Sequence, residues 1–153
     1  MINAFKAGAL DVVLSLENCE FALSTAVVTE SIELREEVQK HLDAGRLIRS
    51  DETSISAMTV ASISGSYNLG IGESECLALC QLDGKLFLWS DDRRARNVTC
   101  ELLGANRVVG TRDLLLICVQ QALLSPLDAY GAYELARSRG AFLPLLMREF
   151  FYT

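Results

Sequence analysis

Short apolar segments alternate along this chain with longer segments of helical periodicity. Residues 85–89 (KLFLW) and 107–110 (RVVG) have the length and composition of buried strands, and each is followed at once by a helical segment. Strands separated by helices of this length imply right-handed crossovers and a parallel sheet covered by helices on both faces. The sequence therefore predicts an α/β fold.

The remaining elements follow from periodicity, capping residues and turn signals. Residues 51–72 are rich in Ser, Thr and Gly, and they are predicted to form a helix and then a loop that ends in Gly70-Ile71-Gly72. Thr25 is one predicted helix cap, and Ser90 or Asp91 is another. Two further strands are predicted at residues 19–24 and 46–50, and helices at residues 4–16, 26–42, 73–82, 91–104, 111–123, 127–139 and 143–151.

Length and composition fit one domain. The chain has 153 residues, and because 50% of them are hydrophobic it can bury a sizeable core. Residues 113–125 form the longest apolar run, but glutamines interrupt it well short of the roughly 20 residues that a membrane helix needs. The first residues have neither the basic and apolar regions nor the cleavage site of a secretory signal. We therefore expect one domain, in the cytoplasm, with no membrane span.

The charge of the chain limits how it could bind nucleic acid. A net charge of −6 and a pI near 4.8 oppose broad attraction to phosphate, so nucleic-acid binding would have to be local. Arg93, Arg94 and Arg96 form the obvious cluster, with Arg107 and Arg112 further along the chain. A solvated helix face is the competing interpretation of these arginines.

Cysteine and histidine offer little for a zinc site. The five cysteines include no Cys-x-x-Cys pair, and His41 is the one histidine of the chain. Cys76 and Cys80 are four residues apart and would share a helix face, but two thiols make a poor metal site. Buried, reduced thiols and a histidine that stabilises a helix end are the expected roles.

Carboxylates are the side chains that could carry chemistry. In parallel sheets, ligands bind beyond the carboxyl ends of strands, which selects residues 25–30, 90–92 and 111–113. Acids suited to a hard cation such as Mg²⁺ are predicted in or near this rim; they are Glu30, Glu73, Glu75, Asp91 and Asp92. Helix capping alone explains any one of them, because an acid in a first turn contributes roughly 0.3–1 kcal/mol. Adjacent Asp91 and Asp92 repel each other unless a cation, such as Arg93 or Arg94, is close.

Three ordered motifs resemble the PIN-domain-like nuclease family. Residues 72–80 (GESECLALC), 86–104 (LFLWSDDRRARNVTCELLG) and 108–116 (VVGTRDLLL) are similar to a Gly-Glu-x-Glu block, a strand ending in Asp-Asp-Arg, and a Val-x-Gly-Thr block. Residues 2–14 resemble the segment that follows the family's first strand, and residues 23–30 resemble its second strand and acidic helix. The family's first strand and its terminal Asp have no counterpart in this sequence, where they would precede Met1.

The resemblance implies a three-layer α/β/α fold with strand order 3-2-1-4-5, an acidic pocket for Mg²⁺ or Mn²⁺, and cleavage of single-stranded RNA. Glu30, Glu75 and Asp92 match the family's acids, with Glu73 and Asp91 as neighbours that share the metal site. Thr111 matches a residue that orients a ligand or water, and Arg93 or Arg96 would steer phosphate.

The toxin-type branch of this family further implies an antitoxin protein partner and a homodimer. The alternative is an inactive PIN-like domain that binds protein or RNA, because the first acid has no counterpart. A phosphatase or nucleotide-binding domain ranks last, since Gly70-Ile71-Gly72 is too little for a phosphate loop. Residues 142–152, which are mostly apolar, are expected to be core or a dimer face.

Overall fold

The computed structural model describes residues 1–30, 32–50, 53 and 55–152, without the side chains of Glu30 and Glu33. The chain divides into two compact units. The first unit comprises Met1–Cys19, Trp89–Asp91 and Val109–Thr153, and the second comprises Glu20–Leu88 and Asp92–Val108. The single PIN-like domain of the sequence analysis stays a prediction.

The second unit holds one complete two-stranded sheet and five helices among its described residues. Its sheet pairs β1 (Ala22–Leu23) with β2 (Ile48–Arg49) in parallel, with Ala22 opposite Ile48 and Leu23 opposite Arg49. Leu69, Leu77 and Val98 belong to its buried core. Its elements are β1 (Ala22–Leu23), α3 (Thr25–Glu30), a 3₁₀ turn (Ile32–Leu34), α4 (Arg35–Asp43), β2 (Ile48–Arg49), α5 (Ala57–Tyr67), α6 (Ile71–Leu82), α7 (Arg93–Leu103) and a 3₁₀ turn (Ala105–Arg107).

The first unit is mainly helical. Tyr133 and Phe151 are its largest fully buried side chains, and Leu115, Val13 and Cys118 pack in the same unit with no more than trace exposure. The elements of the first unit are α1 (Ile2–Lys6), α2 (Leu10–Val13), α8 (Thr111–Gln120), α9 (Pro126–Ser138) and a 3₁₀ turn (Arg148–Tyr152).

No helix in the described part of the chain has both the length and the apolar character needed to cross a membrane.

The prediction of an α/β fold is confirmed at the level of class. Strands β3 (Leu88–Trp89) and β4 (Val108–Val109) form the second sheet, so the described residues contain two small parallel sheets within a mostly helical chain. Each strand has two residues, which is shorter than predicted. In the β3–β4 pair, the amide of Ser90 donates to the carbonyl of Val109 at 3.0 Å.

The predicted helix over residues 4–16 is wrong in its continuity. The chain forms α1 and α2 with a turn between them, because Gly8 has a φ of +66°. This left-handed conformation is open to glycine and ends a right-handed helix. The predicted helix over residues 26–42 is likewise divided, since α3 ends at Glu30 and α4 begins at Arg35.

The predicted helix over residues 143–151 is also wrong. Residues 141–147 have no regular structure, and only the Arg148–Tyr152 turn follows. Pro144 has no amide hydrogen and disfavours the helical conformation at Leu143. The carbonyls of this stretch bond to α9 instead, with the Tyr133 hydroxyl donating to Pro144 at 2.8 Å and Arg137 donating to Leu143 at 3.3 Å.

The structure corrects three helix starts. Ser24, rather than Thr25, bonds the first turn of α3, since its hydroxyl oxygen accepts from the amide of Val27 at 3.3 Å. Asp92, rather than Ser90 or Asp91, caps α7. Gly70 is the N-cap of α6, so Ile71 and Gly72 are helical and not part of a loop. The predicted helix within residues 51–72 is found as α5.

Arg107 joins the end of α6 to the segment that leads into β3. Its guanidinium donates to the carbonyls of Leu86 (2.9 Å), Cys80 (2.8 Å) and Asp83 (2.9 Å). We expect Arg107→Ala to lower the free energy of unfolding by about 2–3 kcal/mol, because carbonyls that lose a charged donor become poorly satisfied. Urea denaturation measures this loss. Arg49→Ala, at an exposed position of the same unit, should change stability by less than about 0.5 kcal/mol, and equal effects would contradict the role of Arg107.

Candidate functional site

Asp91 is bound by two other segments of the first unit. Its Oδ1 accepts from the backbone amide of Thr111 at 2.8 Å, and its Oδ2 accepts from the Thr111 hydroxyl at 2.5 Å and from Nδ2 of Asn3 at 2.9 Å. Asp91 lies just beyond β3 and Thr111 just beyond β4. The carboxyl ends of two paired strands therefore meet through these two side chains, as the sequence rule for parallel sheets predicts.

The N-terminal cap of α8 fixes the position of Thr111. Gly110 is the N-cap, and the Asp113 carboxylate accepts from the Gly110 amide at 2.8 Å. Thr111 is fully buried, so its hydroxyl has to satisfy its hydrogen bonds inside the protein. Burial raises the pKa of the neighbouring Tyr133, and the negative charge of Asp91 raises it further.

Glu75 lies at the carboxyl end of β1, in the second unit. Its Oε2 accepts from the backbone amide of Ala26, in the first turn of α3, at 2.9 Å. The adjacent residue Cys76 reaches the Ser24 hydroxyl at 3.7 Å. Glu75 therefore ties α6 to the strand end and to the helix that carries Glu30, whose side chain lies outside the described part of the structure.

An open groove of about 510 Å³ runs beside α7 in the second unit. It combines three carboxylates, two guanidinium groups, two amides and one apolar side chain. We call it the α7 groove, and it is lined by Asn68, Glu73, Asp92, Arg93, Arg94, Asn97, Val98 and Glu101. Glu73, Asp92 and Arg93 were all predicted from the sequence as site residues. The structure brings these three to one concave surface.

Helix caps fix two of the three acids at the groove. Oδ1 of Asp92 accepts from the amide of Ala95 at 2.9 Å, at the start of α7. Oε2 of Glu73 accepts from the amide of Gly70 at 3.1 Å, at the start of α6. Two helices therefore begin at the groove, and each presents a carboxylate from its first turn or its N-cap.

Asn68 forms the opposite wall. It ends α5 in the left-handed conformation, with a φ of 51°, and its carbonyl accepts from the Arg94 guanidinium at 2.9 Å. Asparagine is among the residues that adopt this conformation most readily. Arg94 therefore holds the wall against α7, whereas the neighbouring Arg93 is exposed and lines the groove.

The nominated residues do not all fall at this groove. Glu73 and Glu75 are two positions apart on α6, so they project from different sides of the helix, and Glu75 is engaged with α3. Arg96 is half-buried on α7 and is not among the groove residues. Asp91 and Thr111 belong to the first unit.

Sequence reasoning missed Asn3, Asn68, Asn97 and Glu101. A signal for two of them was present in the sequence. Residues spaced four apart on a predicted helix share one face, and this spacing relates Arg93, Asn97 and Glu101. Asn3 and Asn68 carried no such signal, because their partners are distant in the sequence.

Comparison of the chain with models of known families, with curated proteins and with solved structures found no match.

Proposed function

We propose that this protein is a metal-dependent ribonuclease that hydrolyses single-stranded RNA, and that the α7 groove is where it holds the phosphodiester backbone. One observation carries the proposal: Glu73, Asp92 and Arg93 line the same groove. Carboxylates beside an exposed guanidinium are the groups that phosphodiester hydrolysis needs, since the former can ligate a divalent cation and the latter can bind phosphate. The ordered motifs of the PIN-like family add support.

The donor set of the groove fits Mg²⁺ or Mn²⁺. Both ions prefer oxygen ligands, and Mg²⁺ takes few carboxylates from a protein and retains several waters. A carboxylate has about four lone-pair positions, and the cap hydrogen bond of Glu73 or Asp92 takes one of them. The family resemblance also implies Glu75 and Glu30 as ligands; Glu75 does not line the groove, and the side chain of Glu30 lies outside the described part of the structure.

The chemistry divides between the ion and the side chains of the groove. A bound divalent cation would stabilise the charge that develops on the phosphoryl oxygens and activate water for attack on phosphorus. Arg93 would bind a phosphate through two parallel N–H donors. Asn97, one turn further along α7, would bind the next polar group of the RNA chain. Arg94 would act indirectly, because it holds the Asn68 wall.

The remaining parts of the proposal rest on the resemblance. These are the three-layer sheet order 3-2-1-4-5, an orienting role for Thr111, a phosphate-steering role for Arg96, a protein antitoxin and a homodimer. An inactive PIN-like module that binds RNA without cleaving it is the second candidate. The observation that favours it is that two arginines and two amides line the groove beside its three carboxylates, a combination that suits binding as well as cleavage.

The proposal predicts that Asp92→Asn abolishes both Mn²⁺ binding and RNA cleavage. The amide keeps the oxygen that caps α7, so stability should change little while the charged ligand is lost. Isothermal titration with Mn²⁺ and cleavage of a labelled single-stranded RNA measure the two effects. Glu36→Gln is the matched control, because it removes a first-turn acid from α4 of the same unit and should alter neither.

A third variant separates the two candidates. Arg93→Ala should weaken RNA binding, whichever candidate is right. It should also reduce the slope of the logarithm of the binding constant against the logarithm of salt concentration by the amount expected for about one phosphate contact. If the wild-type chain binds RNA but neither binds Mn²⁺ nor cleaves, the ribonuclease is rejected in favour of the binding module. If Arg93→Ala leaves RNA binding unchanged, the groove is not the RNA site.

A further inference from the structure

Adjacent Asp91 and Asp92 have different surroundings, although the sequence presents them as a pair. Asp91 is half-buried and its carboxylate accepts three hydrogen bonds from Thr111 and Asn3. Asp92 is exposed, and its cap bond runs to Ala95 of its own helix. One acid is thus bound to distant segments of the chain, while the other lies at an open groove.

The bonds to Asp91 leave it little capacity as a ligand. Three of about four lone-pair positions are taken, and all three donors are neutral groups of the protein. Two of the donors come from Thr111, which is fully buried and whose amide and hydroxyl are fixed by the start of α8. The third comes from Asn3, 88 residues away in α1. Such an arrangement anchors a carboxylate in one orientation.

We propose that Asp91 is a positioning residue, and that Asn3 and Thr111 hold it so that the turn leading from β3 into Asp92 keeps one conformation. Asp91 and Asp92 share a peptide bond, so anchoring the first side chain restrains the backbone that presents the second. Asn3, which sequence motifs gave no role, thereby supports the acid pair. The role assigned to Asp92 rests on the proposed function, whereas the anchoring of Asp91 does not.

Isosteric and truncating variants of the full chain distinguish an anchor from a ligand. Asp91→Asn keeps an acceptor for the Thr111 amide, and the Asn3 amide can rotate to accept from the new NH₂ group. Asp91→Ala removes every bond. If Asp91 is an anchor, Asp91→Asn should retain a Mn²⁺ dissociation constant within about threefold of wild type. Asp91→Ala should weaken binding by about 10–100-fold, as is usual when support for a ligand is lost, and should lower the urea midpoint.

Asn3 supplies the second arm of the experiment. Asn3→Ala deletes one of the three bonds, and Asn3→Asp places a like charge against Asp91, so the aspartate variant should have the lower urea midpoint of the two. Thr111→Ser, which retains both donors, should resemble wild type more closely than Thr111→Val. Loss of Mn²⁺ binding in Asp91→Asn at wild-type stability would overturn the proposal and make Asp91 a ligand.

The two proposals fail in distinguishable ways. If the wild-type chain binds no Mn²⁺, the proposed function fails, and the anchor is then judged by urea unfolding alone. A wild-type midpoint in Asp91→Ala would reject the anchor. When the wild-type chain binds no Mn²⁺, a lowered midpoint in Asp91→Ala with recovery in Asp91→Asn would support the anchor.

Discussion

Phe151→Ala is expected to lower the free energy of unfolding by about 3–5 kcal/mol, the range for truncating a buried phenylalanine. Phe151 is fully buried in the first unit, and its ring meets the rings of Tyr133 and Phe150 edge-on, at centroid distances of 6.4 and 5.2 Å. Alanine would remove these contacts and leave a cavity that the surrounding helices fill only in part. Urea unfolding monitored by circular dichroism measures the loss.

Phe142→Ala is the matched control in the same C-terminal segment. Phe142 has 101% of its reference exposure, so its truncation removes no packing and should change stability by less than about 0.5 kcal/mol. Both variants delete the same atoms, so their difference isolates burial from composition. Comparable effects at the two positions would mean that the C-terminal segment packs differently from the structure described.

The same segment shows where sequence reasoning reached its limit. Residues 142–152 were expected to be either core or a dimer face, and the structure divides them. Phe151 is buried, whereas Phe142, Leu145 and Met147 are exposed. Apolar composition cannot tell these positions apart, because burial depends on the tertiary path of the segment, in which Pro144 and Leu143 accept hydrogen bonds from Tyr133 and Arg137 of α9. A dimer that covers the exposed residues stays a prediction.

Helices with strong local signals were predicted closely. α6 and α7 carry acids or caps at their starts and a turn residue at their ends, and the structure places them within two residues of the predicted bounds. Gly8 is a contrasting case. A glycine inside a periodic segment is compatible with a continuous helix, and only its positive φ divides α1 from α2.

The residues of the candidate sites fall into two groups: those that a sequence rule predicts, and those that only contacts between distant residues reveal. The rule that ligands bind at the carboxyl ends of parallel strands selected both Asp91 and Thr111, and the structure joins them. The contact of Asn3 with Asp91 spans 88 residues, and the wall formed by Asn68 depends on a bond from Arg94, 26 residues away. Such contacts are products of tertiary packing and leave no periodic trace in a single sequence.

Alkaline pH should destabilise the protein through two buried thiols. Burial raises the pKa of Cys80 to about 11, with the Cys76 thiol adding to the shift, and burial likewise raises the pKa of Cys118 to about 11. An unfolded cysteine loses its proton near pH 9, so between about pH 9 and 11 the folded state holds protons that the unfolded state has released. The free energy of unfolding therefore falls as pH rises through this window, is unaffected by these thiols below it, and changes no further above it.

Each thiol can contribute a slope of at most about 1.4 kcal/mol per pH unit, or roughly 2–3 kcal/mol over the whole window. Urea unfolding at pH 8, 9, 10 and 11 under a reducing agent measures the slope. Lysines and tyrosines titrate in the same range, so the informative quantity is the difference between variants. Cys118→Ala should remove about half of the thiol contribution, while Cys100→Ala, at an exposed position, should leave the slope unchanged. Equal slopes in wild type and Cys118→Ala would mean that water reaches the Cys118 thiol in the folded state, because only a thiol kept from water holds its proton above pH 9.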